Sequence, residues 1–177
     1  MVNVSLMVTA SMDSFIGGRN GESTSEMAIG LHPLYNLTRH KVVIVGRNTY
    51  EATLRNGRGR VFNNRTVVVL SRNPHYEAPD RLTAGSIDEA ITLAEARGKT
   101  DVFVIGGTEV IHQTVGRATQ IHLAVIGAFL QRSNARPFVF PNDAWVWVRR
   151  EPKNKDRARC LFTLKKKGAL QRALQRA

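Results

Sequence analysis

Lys41-Val42-Val43-Ile44-Val45-Gly46-Arg47-Asn48-Thr49 is the stretch that decides the fold class. A half-exposed strand alternates polar and apolar residues, whereas the unbroken run Val42 to Val45 suits a strand covered on both faces, as in a parallel sheet between helices. Gly46 ends the run, and Arg47-Asn48-Thr49 turns it into a short helix. The same grammar recurs twice. Arg65-Thr66-Val67-Val68-Val69-Leu70-Ser71-Arg72 is a β-branched run closed by the turn chemistry of Asn73-Pro74, and Asp101-Val102-Phe103-Val104-Ile105-Gly106-Gly107-Thr108 breaks on paired glycines into another helix.

Working outward, Val2 to Ala10 reads as an opening strand that runs into the glycine-containing loop Ser11-Met12-Asp13-Ser14-Phe15-Ile16-Gly17-Gly18. Ser23-Thr24-Ser25-Glu26 offers N-cap candidates for a helix extending to about Thr38, against which Gly30 and Pro33 count. Ser86-Ile87-Asp88-Glu89 has the spacing of a capping box before an apolar helix through Ala96. Thr119 to Ile126 is a further strand. Trp145 to Val148 and Arg159 to Leu164 read as an antiparallel pair joined by the polar loop 151–156. Strands alternating with helices, then a hairpin, predict an α/β fold: a doubly wound, mostly parallel central sheet with helices on both faces and an antiparallel C-terminal hairpin.

At 177 residues the chain is one expected domain, since single cores commonly occupy about 100–200 residues. Hydrophobic residues at 42% and charged residues at 23% lie near globular averages, which argues against disorder. No apolar run approaches the roughly 18–20 residues needed to span a bilayer, and the N-terminus lacks a signal peptide's basic flank and apolar stretch, so a cytoplasmic location is expected. The single Cys160, in an apolar alternating segment, reads as a small buried hydrophobe, so neither a disulfide nor a cysteine metal site is expected. The net charge of +12 favours phosphorylated or otherwise anionic ligands. Five of those charges, Lys165, Lys166, Lys167, Arg172 and Arg176, fall in the last thirteen residues, so residues 1–166 are expected to form the domain and 167–177 a basic tail.

In open α/β sheets, ligands bind beyond the carboxyl ends of the strands, where loops pass into helix N-termini. Three strands here end in phosphate-friendly chemistry. Gly46 permits close approach and is followed by the Arg47 guanidinium, Asn48 and the Thr49 hydroxyl; Leu70 leads into Ser71 and Arg72; Ile105 leads into Gly106, Gly107 and Thr108. On three strands of one sheet, these features point to a bound dinucleotide or phosphorylated ligand.

Val43-Ile44-Val45-Gly46-Arg47-Asn48-Thr49-Tyr50-Glu51 resembles the strand, Gly-Arg and helix start of the dihydrofolate reductase-like superfamily. Thr66 to Ser71 resembles the family strand ending in Leu-Ser, Val102 to Gly107 its glycine-pair motif, and Ala158 to Leu164 its last strand, so the likeness runs over roughly residues 2–166. The resemblance implies a reductase that uses NADPH. It implies that Arg47, Asn48 and Thr49 contact the cofactor phosphates, that Ser71 and Arg72, after Leu70, read the 2′-phosphate, and that Gly106, Gly107, Thr108 and Glu109 line the pyrophosphate beyond Ile105. Ile16 and Gly17 would begin the loop closing over the nicotinamide.

The substrate implied is 7,8-dihydrofolate or a related heterocycle, held by a carboxylate of the first helix. That position falls near Gly30, and Glu26, one helical turn earlier on the same face, is the candidate acid; its other reading is a first-turn residue favoured by the helix dipole. Ala124 stands where the family has a threonine, and Arg136-Pro137-Phe138-Val139-Phe140-Pro141 lacks the acid of the family's corresponding segment. His122, alternating with Ile121 and Leu123, reads as a structural residue of the opposite sheet face.

Two alternatives stand beside this reading. Ser11 to Gly18 with Asn20-Gly21-Glu22-Ser23 looks similar to the riboflavin-pathway pyrimidine reductases, which share the fold. The other is a non-catalytic basic module that binds nucleic acid or a partner through its tail, where Leu170 and Leu174 at i, i+4 accompany Arg172 and Arg176. No sequence feature sets an oligomeric state.

Overall fold

The computed structural model describes residues 2–16, 35–127, 129, 137, 145–152 and 159–168. Within them the chain runs β1 (Asn3–Ser11), β2 (Val42–Gly46), α1 (Arg47–Arg55), β3 (Thr66–Leu70), β4 (Leu82–Ala84), α2 (Ile87–Glu95), β5 (Asp101–Gly106), α3 (Thr108–Thr114), β6 (Gln120–Ile126), β7 (Trp145–Pro152) and β8 (Arg159–Lys166). The strands form one sheet in the order β4-β3-β2-β5-β1-β6-β8-β7. The first six are mutually parallel, and β8 runs antiparallel to both β6 and β7.

The unbroken apolar runs are resolved by the pleat into two cores. Val4, Leu6 and Val8 of β1, Val42 and Ile44 of β2 and Val102 and Val104 of β5 pack with Ile87, Ala90 and Ala94 of α2 and Ile111 of α3. The alternate residues, Met7, Val43, Val45 and Phe103, pack with Tyr50 of α1 and Phe62. Helices thus cover both faces, as expected for a doubly wound sheet.

Three details depart from the sequence expectations. β4 was not anticipated: Leu82-Thr83-Ala84 is too short for a period to show, and it becomes a strand by pairing with β3. β7 continues past Val148 to Pro152, with Glu151 opposite Leu161; a proline fits there because β7 is the outer strand. Of the helix expected from Ser23 to Thr38, only the end lies in the described residues, as a 3-10 turn over Asn36–Thr38. Arg65 ties that turn to β3, donating from its guanidinium to the Tyr35 carbonyl (2.6 Å) and from Nε to Thr38 Oγ1 (2.7 Å). Among the described residues no helix is long and apolar enough to cross a membrane.

His122 does face away from Ile121 and Leu123. It is 9% exposed, its ring stacks on Phe103 at 6.1 Å, and its Nε2 lies 2.9 Å from Gln120 Nε2. Burial, aided by the Lys165 charge, pushes its pKa from 6.5 down to about 4. The unfolded chain therefore binds a proton between those values that the folded one refuses, so stability is full above about pH 6.5 and falls as pH drops toward 4. His122→Gln should remove a loss on the order of 3 kcal/mol across that window, measured by denaturant unfolding of both proteins at pH 7 and pH 4.

Candidate functional site

β2 and β5 are neighbours, yet their following connections leave on opposite faces, β2 into α1 on one side and β5 into α3 on the other. A crevice opens at the carboxyl ends of such a pair. Here it is a cleft of about 400 Å³ lined by residues 46–49, 70–73, 85–87, 107–110 and Gln113.

Glycine makes the floor possible. A Cβ on Gly46 would sit 3.0 Å from Val110 Cγ2 and 3.5 Å from the Gly107 amide nitrogen, so the end of β2 and the start of α3 approach as closely as backbone allows. Gly106 has φ 137°, outside the range of side-chain-bearing residues, and a cis peptide joins it to Gly107. Three helix N-termini meet the cleft, but they differ. Ser86 Oγ accepts from the Glu89 amide at 3.1 Å and Glu89 Oε2 from the Gly85 amide at 2.7 Å, so α2 caps itself. Gly46 and Gly107 are the N-caps of α1 and α3 and supply no side-chain cap. Their first-turn amides are left for water or an anionic ligand.

Two guanidinium groups border this floor. Arg47 is held rather than free: its Nε donates to Glu51 Oε1 at 2.8 Å, and its guanidinium carbon lies 4.6 Å from the centre of the Tyr76 ring. Burial first, then the neighbouring Glu51 charge and the hydrogen bond to it, raise the Tyr76 phenol above its ordinary pKa of 10, so it stays a donor to Glu51. Glu51 and Tyr76 thus fix the orientation of Arg47. Past β3, Ser71 Oγ accepts from the Asn73 amide at 3.1 Å, which leaves the hydroxyl proton as a donor, and Arg72 beside it is exposed. Glu109 at the opposite lip accepts from Gln113 Nε2 at 3.1 Å. The arrangement suits a ligand carrying more than one phosphate along the carboxyl edge of the sheet.

Of the residues anticipated from sequence, Gly46, Arg47, Asn48, Thr49, Leu70, Ser71, Arg72, Gly107, Thr108 and Glu109 line the one cleft. Ile105 and Gly106 stand just behind it at the end of β5. Ile16 is buried in the cluster with Val8 and Ala10 and is not among the lining residues. Gly17, Glu26, Gly30 and tail residues 169–177 lie outside the described residues. Sequence reasoning missed Asn73, Gly85, Ser86, Ile87, Val110 and Gln113; without β4 on the map, nothing brought Gly85 to the carboxyl edge. It also missed Tyr76, and Thr9, whose buried Oγ1 has no hydrogen-bond partner among the described residues. Among those residues no three His, Cys, Asp or Glu side chains are grouped to hold a metal ion.

The family model described as dihydrofolate reductase matches residues 3–166. The chain belongs to the dihydrofolate reductase family. Its relatives include dihydrofolate reductase type 3 of Salmonella typhimurium, 33% identical over 94 residues covering 53% of this chain and 54% of that one, so the match spans about half of that relative. Dihydrofolate reductase HdrB of Haloferax volcanii is 27% identical over 157 residues, 85% of this chain and 78% of its own. Among solved structures, the dihydrofolate reductase of Enterococcus faecalis complexed with NADP(H) and RAB-propyl superposes with a TM-score of 0.77 at 24% identity, over 93% of this chain and 96% of that one. At that identity it shows the dihydrofolate reductase fold.

The demand for glycine at the end of β5 is testable in this family member. Gly106→Ala should cost ~1–3 kcal/mol and lower the melting temperature by roughly 3–9 °C. Gly98→Ala, at φ 66° with nothing within 4 Å of the added Cβ, should cost less. Thermal melts of the two variants decide the comparison.

Proposed function

We propose that the chain is an NADPH-dependent reductase that converts 7,8-dihydrofolate to tetrahydrofolate. The observation carrying this reading is the cleft itself: two helix N-termini without side-chain caps and an Arg47 fixed by Glu51 and Tyr76, in a chain of the dihydrofolate reductase family. The donor set fits the cofactor. Glycines give close backbone approach, the amides of α1 and α3 with Arg47 provide for a pyrophosphate, and the Ser71 hydroxyl with Arg72 provides for a further phosphate.

When bound, NADPH supplies the hydride. The protein's own part is to orient, to exclude water and to hold charge. Arg47 is oriented in advance, because its Nε and one face of its guanidinium are already engaged before any ligand arrives. Ser71 and Arg72 would read the 2′-phosphate that distinguishes NADPH from NADH. Glu26 is the acid assigned to the substrate ring, favouring its protonated form so that the hydride meets a cationic acceptor; the overall change consumes one hydride and one proton. In this reading residues 1–166 form the reductase domain, residues 167–177 are a basic extension, and the protein works in the cytoplasm.

Purified protein should oxidise NADPH, followed at 340 nm, only when 7,8-dihydrofolate is added, and Glu26→Gln should depress that rate at neutral pH. Tight NADPH binding with no turnover would replace dihydrofolate by another reducible heterocycle, in line with Ala124. Arg72→Ala should weaken NADPH by about tenfold, the scale of a charge-assisted hydrogen bond, and leave NADH nearly unchanged; equal losses for both would remove Ser71 and Arg72 from the 2′-phosphate.

A further inference from the structure

β1 is longer than its neighbour β5. The last β1–β5 pair is Leu6 with Val104, whereas β1 and β6 stay paired through Thr9 with Ala124, Ala10 with Val125 and Ser11 with Ile126. Thr9 therefore stands at the carboxyl edge, three residues beyond the last ladder contact of β1 with β5. One side of it is flanked by Ala124, which brings no polar atom. The other side is the end of β5, where Ile105 is only partly buried.

Thr9 shares its sheet face with Met7, Phe103 and Ala124, members of one apolar cluster. It is 6% exposed, its Oγ1 is fully buried, and that hydroxyl has no hydrogen-bond partner among the described residues. A buried hydroxyl left unpaired is costly, and valine would fill the same volume on a β-strand without that cost. An orphan polar atom in an apolar frame at the ligand edge of an α/β sheet is a group waiting for a partner that arrives with the ligand.

We infer that the Thr9 hydroxyl is a substrate-binding group: it hydrogen-bonds the polar edge of the heterocycle reduced in this site and helps set which heterocycle is accepted. The inference rests on the reductase reading above and deepens it. A single hydroxyl both donates and accepts, so it suits a ring edge that presents alternating N–H, ring nitrogen and carbonyl groups, as pteridines and pyrimidines do. Because the hydroxyl has no partner among the described residues before the ligand binds, its removal should affect the free protein and the complex in opposite directions. A residue that merely packs cannot do that.

The test compares wild type, Thr9→Val and Thr9→Ser by thermal melting, NADPH titration and steady-state kinetics with 7,8-dihydrofolate. Thr9→Val should melt at the same temperature as wild type or roughly 2–4 °C higher. It should bind NADPH unchanged and raise KM for dihydrofolate about tenfold. Thr9→Ser, which keeps the hydroxyl, should restore KM to within about twofold of wild type. Unchanged KM in Thr9→Val, with wild type active, overturns the assignment and leaves the reductase reading standing. A lower melting temperature with parallel loss of NADPH binding also overturns it, because the role would then be structural. Wild type that binds NADPH but neither binds nor reduces dihydrofolate overturns the substrate reading and this assignment together.

Discussion

The end of β2 and the start of α3 meet with glycine backbone on both sides, and the cleft depends on that contact. Gly46 faces the Gly107 amide and Val110 so closely that an added methyl would reach 3.0 Å from Val110 Cγ2. β2 and β5 can lie side by side with their helices leaving on opposite faces only if the two turns clear one another, and Gly46, Gly106 and Gly107 provide that clearance. Everything that could hold a ligand is placed relative to it: α1 begins one residue after Gly46, α3 one residue after Gly107, and β3 delivers Ser71 and Arg72 from the next strand over.

On this frame the charges are arranged rather than merely accumulated. A net charge of +12 would attract anions anywhere on the surface, but at the cleft the geometry of Arg47 is settled in advance. Its Nε is committed to Glu51, and Tyr76, kept protonated by burial and by Glu51, supports its planar face. The self-capped α2 sharpens the contrast with α1 and α3. Ser86 Oγ takes the Glu89 amide and the Glu89 carboxylate takes the Gly85 amide, so the anion-seeking amides in the cleft belong to the two helices whose N-caps are glycines.

Much of the fold was legible because buried parallel strands advertise themselves. Val42 to Val45, Thr66 to Leu70 and Val102 to Ile105 could hardly be anything else, and each ended in the glycine or hydroxyl chemistry that the structure gathers at one edge. What stayed hidden was produced by surroundings rather than by local pattern. Leu82-Thr83-Ala84 is a strand only because β3 lies beside it. The Ser86 box was visible, but the Glu89 carboxylate turned out to serve the Gly85 amide rather than that of Ser86. Tyr76 carried no local signal, and only the fold brings it onto Arg47. Thr9 was only one residue of the opening strand, since its lack of a partner among the described residues is a property of its neighbours and not of threonine. In each case the chemistry was in the sequence and the distance was not.

Hydrogen–deuterium exchange of the protein with and without saturating NADPH probes most directly whether the cofactor occupies this edge. The first-turn amides of α1 and α3, which no side chain caps, should exchange quickly in the free protein and slow markedly when NADPH is present, while the self-capped start of α2 changes least. Protection confined to other parts of the sheet, with residues 47–49 and 108–110 unchanged, is incompatible with a cofactor cleft built on Gly46 and Gly107.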